Sequence, residues 1–281
     1  VHAHPDLATI RVLGRHVERQ PLAAQRALKP VDKARSLVLR HDVLGAHHGD
    51  VVAHDRGDSV ALSFAHRCST GQTPFEVTNL VLSNGNIFLP LSNLTEFQRL
   101  VLDPQTAPAT VAAITPQILA AGLGQTTFTP RRGLDDPTVA ALADTFAVND
   151  GLAVIHDTIQ YLVERAEHEQ QWLEALAAMT VKTTVVWGLY DVVSPLRVAS
   201  HVWDSYLSTK PGDNEFWLLP RANHYLQNDQ PREFVQVLRA ALLNASPATP
   251  GPLSDEPGAP VFLDRSRSQL PTAQETLVRT S

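Results

Sequence analysis

The apolar positions of this chain fall into short unbroken runs separated by stretches of helical spacing. Residues 51–53, 77–82, 183–187 and 215–219 form four such runs, the third ended by Gly188 and the fourth by Pro220. A strand covered on both faces has no polar side to alternate with, so runs of this kind read as buried parallel strands. Between the first two, Val60, Ala61, Phe64 and Ala65 recur at helical spacing over residues 58–67. Residues 195–207 and 229–243 read as helices, the second with Asp229 as N-cap and Pro231 in its first turn. Near the start, Ile10, Val12 and Leu13 suggest a short strand, and residues 31–45 a helix. The expected fold class is α/β: a mostly parallel sheet flanked by helices.

Two stretches break this rhythm. Residues 89–180 carry helical patterns at 108–121, 138–146 and 151–179 and few strand signals. They are expected to form an inserted helical lid, which divides the core into residues 1–88 and 181–244. Beyond Asn244, Pro247, Pro250, Pro252, Pro257, Pro260 and Pro271 stand among many Ser and Thr residues. That composition predicts a disordered tail over 245–281.

The first strand leads into the densest chemistry. In Val51-Val52-Ala53-His54-Asp55-Arg56-Gly57-Asp58-Ser59, Asp55 occupies a strand-to-helix turn with Ala53 two residues before and Gly57 two after. Small residues at those places are what a nucleophile elbow requires, because its sharp turn brings them against neighbouring backbone. The elbow would stand at the carboxyl end of the sheet, where open α/β sheets bind ligands. A carboxylate is ionised at neutral pH and attacks without a base. Its natural target is a saturated carbon bearing a leaving group, and the product is an ester on the enzyme. Cleaving that ester needs a base. Two later strand ends supply one: Asp191 follows Gly188, and His224 follows Pro220. His224 is expected to activate water and Asp191 to hold its other ring nitrogen. The Arg56 N–H, next after the nucleophile, is the expected oxyanion donor.

Composition narrows the field. The 281 residues carry a net charge of -6, which speaks against a nucleic-acid partner and against an anionic membrane surface. No run of membrane-spanning length occurs, and the N-terminal segment lacks the apolar centre of a signal peptide, so a cytoplasmic location is expected. The single cysteine, Cys68, precludes an internal disulfide or a cysteine-based zinc cage and reads as an idle thiol at a helix end. The pairs His2 and His4, and His47 and His48, lack a third ligand nearby, so neither metal nor cofactor is expected. The expected partner is a small-molecule substrate.

The run His54-Asp55-Arg56-Gly57 resembles the elbow of epoxide hydrolases and of haloacid or haloalkane dehalogenases with the α/β-hydrolase fold. It is more closely similar to the mesoderm-specific-transcript-like branch of that group, whose elbow reads His-Asp-x-Gly-Asp-x-Val-Ala, as residues 54–61 do here. Leu82-Ser83-Asn84-Gly85, Ile87-Phe88, Asn149-Asp150-Gly151 and Gln160-Tyr161-Leu162 also look like that branch. The resemblance covers roughly residues 45–243. It implies a hydrolase acting on an epoxide, an ester or a carbon–halogen bond, with substrate contacts from Tyr161 and Asn84. Tyr161 would be one of the tyrosines that protonate an epoxide oxygen, and it is the only tyrosine within 89–180. Arg56 stands where haloalkane dehalogenases carry a halide-binding tryptophan and looks more like the haloacid type.

The sequence departs from the group near its start. The His-Gly-x-Pro loop that supplies a second oxyanion donor is not found, and Ala27-Leu28-Lys29-Pro30 is at most a remnant of the next conserved turn. The first strands of the sheet are therefore expected to be missing or altered. The competing expectation is a truncated, non-catalytic hydrolase scaffold. A third reading, integrin adhesion through Arg56-Gly57-Asp58-Ser59, is rejected because the elbow would bury that turn.

Overall fold

The computed structural model describes residues 11–12, 48–73 and 75–266. The expected helix over 31–45, the remnant at 27–30, the two early histidine pairs apart from His48, and residues 267–281 lie outside the described residues.

The four apolar runs are the four central strands of one sheet. After β1 (Arg11–Val12), strands β2 (His48–Val52), β3 (Glu76–Ser83), β4 (Lys182–Gly188) and β5 (Glu215–Leu219) lie side by side in that order, each parallel to the next. Their side chains explain the absence of alternation: Leu80, Val81 and Leu82, Val185, Val186 and Trp187, and Trp217 are all buried. One face is covered by α1 (Arg56–Ser69) and by two later helices. The edges are antiparallel. β1 pairs with β2, and β7 (Val261–Arg265) pairs with β5 and carries β6 (Gly251–Pro252) outside it.

The last two strands correct the expected disordered tail over its described residues, 245–266. Residues 251–252 and 261–265 belong to the sheet, because Phe262 is buried and its ring centroid lies 4.9 Å from that of Trp217. The prolines that suggested disorder fall largely in the connections, and one of them, Pro252, sits in the outermost strand, where a missing N–H is tolerated.

Between β3 and β4 the chain is helical, with α2 (Glu96–Leu102), α3 (Ala107–Ala112), α4 (Pro116–Thr126), α5 (Pro137–Ala147), α6 (Ile155–Ile159) and α7 (Tyr161–Ala178). The single helix expected over 108–121 is two helices. The Thr115 side chain caps a fresh start by accepting from Ile118 N, and Pro116 occupies its first position. α2 starts from a capping box of Thr95 and Gln98. The expected boundary at 180 also moves. Trp172, Leu173 and Leu176 of α7 belong to the sheet's main core cluster, so α7 is part of the α/β body, and the separate helical layer ends near residue 160.

After β4 come α8 (Leu196–Val202), with a π-helical turn at Trp203–Leu207, then α9 (Leu226–Asp229) and α10 (Pro231–Leu242). Val237 and Ala240 of α10 cover the opposite face of the sheet with Trp217 and Phe262. Asp229 is not the N-cap of α10: Gln230 holds that place, and the Asp229 carboxylate accepts from Thr129 N and Asn223 N and pairs with Arg132 at 3.1 Å. Among the described residues no helix is long and apolar enough to cross a membrane.

Candidate active site

β2 ends, the chain turns, and α1 begins with Asp55 at the corner. Asp55 has φ 53° and ψ -119°, a conformation that costs a non-glycine residue energy and that its surroundings must hold. Asp55 N donates to Ser83 O at 3.1 Å and Gly57 N to His54 O at 2.8 Å, which pins the corner to β3. Ala53 and Gly57 are both buried, as the small-residue argument requires. So are Asp58 and Ser59, which removes the Arg-Gly-Asp sequence from the surface.

The three residues named from sequence come together. His224 Nε2 lies 3.7 Å from Asp55 Oδ1, and His224 Nδ1 lies 3.1 Å from Asp191 Oδ2. The other Asp191 oxygen accepts from Val193 N at 2.8 Å and Ser194 N at 2.9 Å, so the carboxylate is fixed before it meets the imidazole. Gly188 is required where β4 ends: a Cβ there would stand 2.5 Å from Asn223 O. Asp191 is fully shielded, whereas the Asp55 side chain keeps 18% exposure, so the first is a buried support and the second a reachable carboxylate.

Electrostatics follow from this packing. Burial disfavours a charged imidazole, but the Asp191 carboxylate, with a contribution from Asp55, overcomes it and pushes His224 up to about 10. Burial also works against the Asp55 charge. The hydrogen bond and charge of His224, then His54 and the Arg56 N–H, pull it down to about 2. The Arg56 amide therefore faces the Asp55 carboxylate, where the oxyanion donor was expected. The Arg56 guanidinium reaches across to Thr158 O at 3.3 Å and ties the elbow to the helical layer. A second oxyanion donor is not assigned among the described residues.

The expected substrate contacts divide. Tyr161, at the start of α7, is buried beside the site: burial, and then the Asp55 charge, raises its phenol well above the ordinary range. Asn84 does not fit its expected role. It is fully buried, with Oδ1 accepting from Gly188 N at 2.9 Å and Nδ2 donating to Asn223 O at 2.8 Å and His224 O at 3.0 Å. Both amide hydrogens are spent on backbone, so no donor is left for a substrate.

Three residues given no role in the sequence reading also belong here. Tyr225 is buried with its ring 5.1 Å from that of His224 and stacked 4.9 Å from Phe128, and burial plus the Asp55 charge raise its phenol too. Its adjacency to His224 was the available signal. His54 directs Nδ1 at Ser83 O, 3.2 Å away, and burial together with His224 lowers it to about 4, so it is neutral. Asn223 accepts from His224 N at 2.8 Å and donates to Thr126 O at 3.0 Å, which joins the histidine loop to the helical layer. Cys68 is remote from this chemistry. Burial pushes its thiol up to about 11, which suits an idle group.

A mostly parallel sheet, an acidic elbow at its carboxyl end, and an acid and a histidine after β4 and β5 define the α/β-hydrolase fold, and solved structures agree. An esterase from Thermogutta terrifontis superposes with a TM-score of 0.57 at 16% identity, covering 78% of this chain and 73% of its own. An α/β-hydrolase-fold protein from Burkholderia ambifaria gives 0.56 at 17% identity, covering 77% and 73%. By sequence the chain is similar to the Mycobacterium tuberculosis protein named "Putative hydrolase LipZ", at 29% identity over 74% of this chain and 69% of that one. It is similar also to the mouse mesoderm-specific transcript protein, at 28% identity over 70% of this chain and 58% of that one. No family model matches.

Proposed function

We propose that the protein is a hydrolase that opens an epoxide, or cleaves a carbon–halogen bond, through a covalent ester on Asp55. One observation carries the reading: a carboxylate occupies the strained elbow position at φ 53°, with His224 Nε2 3.7 Å from its oxygen and Asp191 behind the imidazole. LipZ bears the name of a hydrolase, which is consistent with it. The substrate is a small organic molecule, with neither metal nor cofactor in the reaction.

The charges support a two-step cycle. In the resting site His224 is an imidazolium between two carboxylates. An Asp55 oxygen attacks carbon, the carbon–oxygen bond of the epoxide breaks, and the new alkoxide takes a proton. Tyr161 and Tyr225 are the neutral donors at hand, and the imidazolium can restore the proton either phenol gives up. Esterification neutralises Asp55 and so removes one of the two charges that held the imidazole protonated. His224 then serves as base. It takes a proton from water, the hydroxide adds to the ester carbonyl, and the oxyanion forms on the Asp55 carboxyl, which the Arg56 N–H faces. Collapse releases the diol and regenerates the Asp55 carboxylate and the imidazolium. The helical layer over 89–160 acts as the lid that shields this ester from stray water.

His224→Gln tests the reading. It leaves attack intact and removes the base, so incubation with a panel of epoxides, haloacids and haloalkanes should give a stable adduct by intact-mass spectrometry. The added mass identifies the substrate class, and peptide mapping should place it on Asp55. An adduct on Ser59 or Cys68 would show that the nucleophile is misassigned.

A further inference from the structure

Asn84 sits one residue past the end of β3, between the strand that carries Asp55 and the strand that leads to Asp191. Its backbone has φ 49°, a region that asparagine tolerates better than most side chains. Its amide is oriented without ambiguity: Gly188 N–H requires an oxygen, and two carbonyls, Asn223 O and His224 O, require the NH2 group. Gly188 O in turn accepts from Asp191 N at 3.3 Å, and the two carbonyls flank the peptide that bears the imidazole. The preceding residue, Ser83, accepts from Asp55 N. A single buried side chain thus bridges the loops of the acid and the base, on a backbone already joined to the nucleophile.

We propose that Asn84 is a positioning residue, which keeps His224 and Asp191 in register with Asp55 and on which hydrolysis of the enzyme ester depends while its formation does not. The inference rests on the two-step reading above. Attack needs the Asp55 carboxylate, its elbow and a phenol to protonate the alkoxide, to none of which the Asn84 side chain hydrogen-bonds. Ester hydrolysis needs the imidazole aimed at a water beside the ester, and a displacement of about 1 Å is enough to cost on the order of 100-fold.

Two variants separate this role from general stability. Asn84→Gly keeps the positive φ and deletes the bridge. Asn84→Asp keeps the shape and the contact to Gly188 N but turns a carboxylate toward two carbonyl oxygens, so it should be the more damaging of the two. Rapid-mixing kinetics and intact mass, with His224→Gln beside them, should show ester formation within about threefold of wild type and ester decay slowed about 10–100-fold, a range common for residues that orient a reacting group. The adduct should therefore accumulate in both variants, as in His224→Gln. Without any substrate, NMR titration of the histidines should show the His224 midpoint falling in Asn84→Gly, which adds no charge, as the pair with Asp191 loosens. Adduct in His224→Gln with wild-type decay in folded Asn84 variants overturns the positioning role, as does an equal loss in both steps. If His224→Gln itself yields no adduct, the ester mechanism fails, and the His224 midpoint alone decides on Asn84: an unchanged value in Asn84→Gly overturns it.

Discussion

The two ends of the same sheet bury polar groups in opposite ways. At the amino end, Lys210 is 3% exposed and donates to Val181 O, to Thr183 Oγ1 at 3.1 Å and to Asn214 Oδ1 at 2.9 Å. Asn214 is committed as well, accepting from Thr183 N and donating to Lys210 O and Ser266 Oγ. All three ammonium donors have acceptors, and no carboxylate is among them. At the carboxyl end, two carboxylates face one imidazole, one carboxylate keeps an open side, and His54 Nε2 is buried without a hydrogen-bond partner among the described residues. Both ends contain displaced proton affinities: burial lowers Lys210 to about 8, and Asp191 lifts His224 to about 10. A perturbed group alone therefore does not mark a site. What differs is whether the surrounding polar atoms are spent on one another or left able to meet a third party.

That contrast is broken most forcefully at Asp55. Asp55→Asn replaces the proposed nucleophile by an amide of the same size, and turnover should fall by about 10^4-fold or more, with no adduct even in the His224→Gln background. Retained turnover would mean that the open carboxylate is not the reacting group.

Asp191→Asn comes next. Its oxygen could still accept from Val193 N and Ser194 N, but the charge that stabilises the imidazolium would be gone. Ester hydrolysis should slow by roughly 10^3–10^4-fold, as expected when the acid behind a catalytic histidine is lost. The His224 midpoint should fall with it. A normal His224 titration in this variant would show that Asp55, and not Asp191, sets the imidazole's charge.

Much of the carboxyl end was legible in the sequence, because its requirements are local. A buried strand is an apolar run, an elbow needs small residues around its corner, and Gly188 and Pro220 close the strands that deliver Asp191 and His224. What could not be read there depends on distant partners. Asn84 was expected to touch substrate, yet its amide meets backbone 104 to 140 residues away. Asp229 has the composition of a helix cap, but its carboxylate is drawn to Thr129 N and Arg132 across the helical layer. β7 hides in a proline-rich stretch, and it orders because Phe262 finds Trp217 on a strand 45 residues earlier. The amino-end cluster was invisible for the same reason: nothing local joins Lys210 to Val181 or Asn214 to Ser266.

Lys210→Met probes the spent end, and it should leave turnover unchanged within about twofold, since Lys210 touches none of the reacting groups. Its signature is in stability against pH. The folded-state value of about 8 lies below the unfolded value of about 10.4. Below pH 8 the lysine is charged in both states, and above about 10.4 it is neutral in both. Between them the unfolded chain holds a proton that the folded chain has released, so stability rises with pH, by at most about 1.4 kcal/mol per unit. This gain is lost as pH falls through 8. His224 pulls the other way: its raised value gives stability that is complete below about 6.5 and is lost as pH climbs through 10. Subtracting the variant's curve from the wild type's cancels His224, which both proteins share, and isolates Lys210. Urea unfolding at pH 8 and at pH 10 should show the wild-type advantage growing by about 2–3 kcal/mol over that interval. A flat difference would mean that three neutral acceptors hold the ammonium as well as water does, and the two ends of the sheet would then differ even more than their geometry implies.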